Sequence, residues 1–249
     1  MRILVTGADG AVGRQLLPAL DDHDVLGTDL ETMDVTDYPE VERIMLRFDP
    51  DAVIHLAGSK LAVDGELNPE GFTRVNVTGT ANVVRAASLV NARVVFSSTC
   101  KAADPETAYG ASKLIAERIV LNADGVVVRF FNIPECGPSV FSLWAGIPAD
   151  EPIPYTDCWR YFITVDRAVA TLVRVLDLPA GRYAPVPISA FHMRNVALMA
   201  YPSRKLVEIP RRRGDRVREP LHSHCEYAYE LEDGIFQIVG AHDPVQVAA

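Results

Sequence analysis

The chain has 249 residues, 49% of them apolar, and a formal net charge of −9. That length carries one large domain, or a domain with a small lobe. The acidic balance argues against a nucleic-acid surface or an anionic membrane as partner, and no apolar run approaches the roughly 20 residues of a membrane span.

Met1–Gly13 opens with the apolar run Ile3-Leu4-Val5, which reads as a buried parallel strand. Glycines at 7, 10 and 13 then suit a tight strand-to-helix turn before the helical run Gln15–Leu20. Gly7 supplies a left-handed backbone, Gly10 lets a diphosphate approach the main chain, and Gly13 lets the helix pack on the strand. In this arrangement Asp9, Ala11 and Val12 also face the cofactor. Because the N-terminus runs straight into a strand, no signal peptide is expected. Cys100, Cys136, Cys158 and Cys225 form no CxxC pair, which reads as reduced thiols in the cytoplasm.

Asp24–Thr28 is the expected second strand, ending at Asp29. An acid there binds the adenosine ribose hydroxyls and repels a 2′-phosphate, so NAD is favoured over NADP. Asp34 and Val35 are placed to flank the adenine. A helix is expected over Pro39–Arg47 and a strand over Asp51–Leu56, after which Leu56, Ala57 and Gly58 run over the cofactor. Asn68–Asn91 reads as one long helix containing Asn76, either a structural hydrogen-bonder or a cofactor contact. Arg93–Ser97 and Val126–Phe130 are further strands, separated by a helix over Tyr109–Leu121. Strands alternating with helices predict an α/β fold, a doubly wound parallel sheet. Residues 1–131 and 161–186 are assigned to it. Residues 132–160 and 187–249 are assigned to a small lobe over the open end of the sheet.

The segment Ser97–Lys113 carries the chemistry. Tyr109 and Lys113 stand one helical turn apart and project from one face. An ammonium at Lys113 is expected to lower the tyrosine pKa toward neutrality. The hydroxyls of Ser98 and Thr99, ending the preceding strand, are placed to hold a substrate hydroxyl or carbonyl. His55 reads as structural, Trp144 and Trp159 as lobe packing. The cluster His222, His224, Cys225 lacks the remaining ligands of a metal site, so no metal is expected.

TGADGAVG, HLAG, NVTGTANV, YGASK and RFFN resemble the extended short-chain dehydrogenase/reductases that modify nucleotide sugars. The segments from Lys60 to Gly79, Ser98–Lys113, Trp159–Ala168 and Arg212–Glu232 are similar to the UDP-N-acetylhexosamine 4,6-dehydratase and 5-epimerase branch. The resemblance implies a Rossmann fold holding NAD, with Ser97 at the cofactor. It implies a nucleotide-sugar substrate, transient oxidation at sugar carbon 4 and a homodimer paired through 69–91 and 109–122. It also places Lys60, Asn132, Arg160, Arg212, Arg218 and Glu219 at the substrate. In that branch an Asp-Lys pair serves elimination as acid and base. Here Lys101 matches the lysine, but Cys100 stands in the place of the aspartate, which separates oxidation at carbon 4 from water loss at carbon 6. A reductase with net redox change and a non-catalytic dinucleotide-binding regulator are the alternatives.

Overall fold

Runs of β-branched residues bounded by polar turns build the centre of the molecule. A computed structural model describes residues 1–137, 139–187, 189–211, 215–231 and 234–240. β1 (Arg2–Thr6), β2 (Asp24–Thr28), β3 (Ala52–His55), β4 (Arg93–Thr99) and β5 (Val126–Phe130) are parallel neighbours in the order β2-β1-β3-β4-β5. Ile3, Val5, Val53, Ile54, Val95 and Phe96 are fully buried. Both sheet faces are covered, so these strands show no polar alternation.

On one face α1 (Ala11–Leu16) packs with a later helix, and Leu16 and Leu20 join the core there. On the other lie α2 (Tyr38–Phe48), α5 (Thr80–Leu89) and α6 (Ala108–Leu121), with Val41, Met45, Val83 and Val120 turned inward. Each such side chain contributes about 1.5–3 kcal/mol by leaving water. α2 starts where Asp37 accepts from Glu40 N and stops at Asp49, whose φ is 48°. The doubly wound sheet expected from the alternation of elements is therefore present.

The long helix expected over Asn68–Asn91 is interrupted. α3 (Ala62–Leu67) and the single turn α4 (Pro69–Phe72) precede a π-helical segment, Thr73–Gly79, before α5. Widened turns of this kind recur at functional sites. This one carries Asn76, whose carbonyl accepts from Thr80 Oγ1 at 2.7 Å.

The lobe comprises α7 (Val140–Ala145), β6 (Ile153–Tyr155) and β7 (Trp159–Phe162), then, after α8 (Val165–Arg174) and β8 (Gly181–Pro185), β9 (Ser189–His192), α9 (Met193–Ala200) and β10 (Leu206–Glu208). β6 pairs with β10 and β7 with β9. Trp144, Ile153, Cys158, Phe162 and Met193 form its core, and Trp144 Nε1 donates to Pro154 O at 2.7 Å. α8 belongs to the main body, packing on α1, and β8 adds to the sheet beside β5.

The lobe does not take all of 187–249. β11 (Glu226–Leu231) and β12 (Ile235–Gly240) form a hairpin that extends the main sheet through antiparallel pairing of β12 with β8. Burial of Ile235 and Ile238 and an ionic quartet hold it there. Arg129 on β5 contacts Glu117 of α6 at 2.7 and 2.8 Å and Glu226 of β11 at 2.5 Å. Arg182 on β8 reaches the same two carboxylates at 3.3 and 3.2 Å. Two acids and two bases thus neutralise each other inside the protein, and Arg129 holds Glu226 down at about 2 against the cost of burial.

Candidate active site

A single cavity of about 1170 Å³ runs from the glycine turn after β1, across the C-terminal ends of β1, β3, β4 and β5, into the lobe. This is the end of an open α/β sheet where ligands bind. Gly7 has φ +71°, and a Cβ there would sit 2.6 Å from Ala57 N. A Cβ on Gly13 would meet Ala8 O at 2.5 Å, so only glycine lets α1 start so close to β1. Gly7, Asp9, Gly10, Ala11 and Val12 line the cavity at that turn.

At the tip of β2, Asp29 also lines it, its carboxylate accepting from Asp9 N at 2.9 Å and Leu30 N at 2.8 Å. Asp34 and Val35 follow beyond, and Leu56, Ala57 and Gly58 form the adjoining strip. A neutral polar chain supports that strip from below. Ala57 N donates to Thr6 Oγ1, which meets His55 Nδ1 at 2.7 Å; His55 Nε2 meets Thr80 Oγ1 at 3.1 Å. Because the Thr80 hydroxyl donates to Asn76 O, the His55 proton sits on Nε2. Burial, and Lys113 nearby, push His55 down to about 3, so it stays neutral.

The chemistry-bearing wall comes from β4 and α6. Thr107 caps α6 by accepting from Gly110 N, which sets Tyr109 and Lys113 on the face toward β4. Lys113 Nζ donates to Ser97 O at 2.8 Å and lies 4.3 Å from the centre of the Phe96 ring. Burial lowers its pKa to about 8. Tyr109 is buried, and burial raises its pKa; the charge of Lys101 and a hydrogen bond from Thr99 act the other way. The cation acting on the phenol is thus Lys101. The expectation that Lys113 brings Tyr109 toward neutrality is corrected, because that ammonium is turned to the Ser97 carbonyl and the Phe96 ring.

Across from Tyr109, Glu219 joins several groups. Its Oε1 lies 2.7 Å from Lys101 Nζ and 3.4 Å from Arg160 Nε, and its Oε2 accepts from Asn132 Nδ2 at 2.7 Å. Burial opposes its ionisation, but the Lys101 and Arg160 charges prevail and hold the carboxyl below its ordinary range.

The family model described as "Polysaccharide biosynthesis protein" matches residues 22–232. The chain belongs to this family of extended short-chain dehydrogenases/reductases. It is 32% identical, over 61% of its length and 27% of the relative's, to the probable polysaccharide biosynthesis protein EpsC of Bacillus subtilis. It is 26% identical, over 79% of its length and 65% of the relative's, to the UDP-N-acetylglucosamine 4,6-dehydratase (inverting) of Campylobacter jejuni. The chain thus spans between about a quarter and two thirds of the length of these family relatives. Among solved structures, Pen from Bacillus thuringiensis superposes with a TM-score of 0.86 at 24% identity, covering 98% of this chain and 88% of that one.

Measured against the family expectation, Tyr109, Lys113, Thr99, Lys101, Ser97, Lys60, Asn132, Arg160 and Glu219 all line the cavity. Others do not serve it as expected. Ser98 borders it, but its hydroxyl donates to Glu117 Oε1 at 2.6 Å because alternation along β4 turns it away from Thr99. Cys100 is fully buried behind Lys101, its thiol 3.7 Å from Glu219 Oε2 and pushed up to about 12 by burial and that carboxylate. Gly13, which makes the close helix packing expected of it, and Asn76 lie outside the lining. Asn76 instead clamps Ser59, accepting from its N at 2.8 Å and donating to its O at 3.0 Å, and reaches Ser112 Oγ at 3.0 Å. Arg218 is exposed, its guanidinium 5.5 Å over the Trp159 ring. Arg212 lies outside the described residues.

Arg216 and Asp215 line the cavity without having been singled out. Arg216 Nε lies 3.1 Å from Glu106 Oε1, and Asp215 Oδ1 lies 3.2 Å from Arg160. Nothing in the run of arginines from 211 to 218 separates Arg216 from Arg218. Among the described residues no three His, Cys, Asp or Glu side chains could hold a metal ion, and no helix is long and apolar enough to cross a membrane. His224 and Cys225 face different partners, Asp104 and Ser223.

Proposed function

We propose that the chain is an NAD-dependent nucleotide-sugar epimerase or dehydratase that oxidises its substrate transiently at sugar carbon 4. The observation that carries this reading is the joining of two sites in one cavity. A glycine turn with Asp29 at its far edge leads without a wall to Tyr109, Thr99 and Lys101.

The residues at the first site fit a dinucleotide. Gly7 and Gly13 let the turn pack closely against Ala57 and Ala8, and the Asp29 carboxylate is fixed by two amides where ribose hydroxyls need an acceptor. Its charge disfavours a 2′-phosphate, hence NAD. When bound, the nicotinamide supplies a hydride acceptor and donor.

The chain's own groups then handle the proton. As the phenolate, Tyr109 takes the proton of the carbon-4 hydroxyl and, as the phenol, later returns it. Lys101 lowers the cost of the phenolate that acts as base, and Thr99 orients the phenol. Arg160 and Arg216, at the lobe side, supply positive charge for a diphosphate. A UDP-linked sugar is the substrate class that the Campylobacter jejuni relative's name supports.

The test is incubation with NAD and UDP-N-acetylglucosamine or UDP-glucose in deuterated water, followed by NMR. A changed sugar without net NADH is the expected result. Label at carbon 5 assigns dehydratase or 5-epimerase chemistry, and inversion at carbon 4 without label assigns 4-epimerisation. Net NADH formation, or bound NAD with no turnover, overturns the reading.

A further inference from the structure

Glu219 is 4% exposed where the main body meets the lobe. An isolated carboxylate so placed is costly, so its partners define its purpose. Lys101 Nζ lies 2.7 Å from Glu219 Oε1 and donates to Asn132 Oδ1 at 3.2 Å. Asn132 Nδ2 in turn donates to Glu219 Oε2 at 2.7 Å. The three side chains close a ring, and the ring fixes every role. Both groups facing Lys101 are acceptors: the lysine meets Glu219 as an ion pair and donates to Asn132, and nothing in the ring donates to it.

The other groups around the lysine act in the same sense. Cys100 is a neutral thiol donating to Glu219, Tyr109 lies across the cavity wall, and Arg160 stands on the far side of Glu219. A lysine can remove a carbon-bound proton only as a free amine. Here a carboxylate in direct contact opposes that form.

We propose that Glu219 is a positioning residue that locks Lys101 as an ammonium ion on the Tyr109 wall, where the lysine is a fixed cation and takes no proton from sugar carbon 5. Tyr109 is then the group that exchanges protons with substrate, and chemistry is confined to carbon 4. The consequence for the sugar rests on the function proposed above; the lock itself does not.

The lock is tested first without any sugar. The full chain is treated with acetic anhydride at pH 7 to 10, and acetylation of each lysine is followed by peptide mass spectrometry. Exposed Lys205 is the internal reference. Lys101 labelling is expected to keep climbing about tenfold per pH unit up to pH 10, as for an amine still protonated throughout, whereas a lysine poised as a base levels off near its lowered pKa; restricted access scales the rate and leaves this slope unchanged. In Glu219→Gln, Lys101 labelling at pH 8 is expected to rise about tenfold or more, and Glu219→Asp to restore much of the wild-type protection. A wild-type Lys101 whose labelling levels off below pH 9 overturns the lock, and that arm needs no variant to fold. An unchanged Lys101 in folded Glu219→Gln overturns it as well.

Carbon-5 deuterium from UDP-N-acetylglucosamine is the second readout: absent in the wild type, gained in Glu219→Gln. Label in the wild type overturns the confinement to carbon 4. Failure of every sugar to turn over removes the enzymatic reading and leaves the acetylation result standing.

Discussion

Two groups of charged side chains lie about one sheet and differ in what they face. Glu117, Arg129, Arg182 and Glu226 are closed in among α6, β5, β8 and β11, each no more than 4% exposed. Lys101, Arg160 and Glu219 border the cavity, and the Lys101 side chain is 33% exposed. In the first group every charge is answered from within, so its energy goes into holding the last hairpin on the sheet. In the second, the same ion-pair chemistry leaves a cation turned toward an open space. Position relative to the cavity, not the kind of contact, separates the two groups.

Substitutions break the comparison at its two ends. Arg129→Met leaves two buried carboxylates to share Arg182 and is expected to cost about 3–5 kcal/mol, read from urea unfolding. Tyr109→Phe, in the other region, is expected to leave the unfolding midpoint nearly unchanged while lowering kcat about 10²-fold or more. Binding of added nicotinamide dinucleotide is expected to be retained, since the glycine turn and Asp29 are untouched.

The polar chain under Ala57 is a neutral counterpart of both. His55 titrates near 6.5 when unfolded and near 3 when folded. Between those values the unfolded chain holds a proton that the folded chain lacks, so stability rises with pH across the window. It is expected to fall by up to about 1.4 kcal/mol per unit as pH drops below 6.5. Urea midpoints from pH 7 to 5 check this, and His55→Gln should flatten the dependence. The smallest effect is reserved for Arg218→Ala. With its guanidinium over Trp159 and outside the cavity lining, it is expected to change UDP-sugar affinity by less than about 0.5 kcal/mol.

Much of the molecule was legible because its signals are local. β1, its turn and α1 follow from an apolar triplet and three glycines, and the Tyr109–Lys113 pair follows from one helical turn. Asp24–Thr28 and Val126–Phe130 match β2 and β5 residue for residue. What was not legible depends on distant partners. The π-helical turn carries Asn76, whose clamp is on Ser59, 17 residues away. The destination of Ser98 depends on Glu117, and that of the final hairpin on Arg129 and Arg182. One clue was present: an arginine inside the apolar run Val126–Phe130 requires a buried acid somewhere. The family resemblance assigns Glu219 to the substrate, whereas its contacts tie it to Lys101, 118 positions earlier in the chain.

The quartet draws its members from positions 117, 129, 182 and 226. During synthesis the first three leave the ribosome well before the fourth. Until Glu226 emerges, two arginines converge on a single acid, and the nascent sheet ends at an uncovered edge on β8. The closing hairpin therefore works as a latch: a chain terminated before it is expected to stall half-assembled and draw chaperones or proteases.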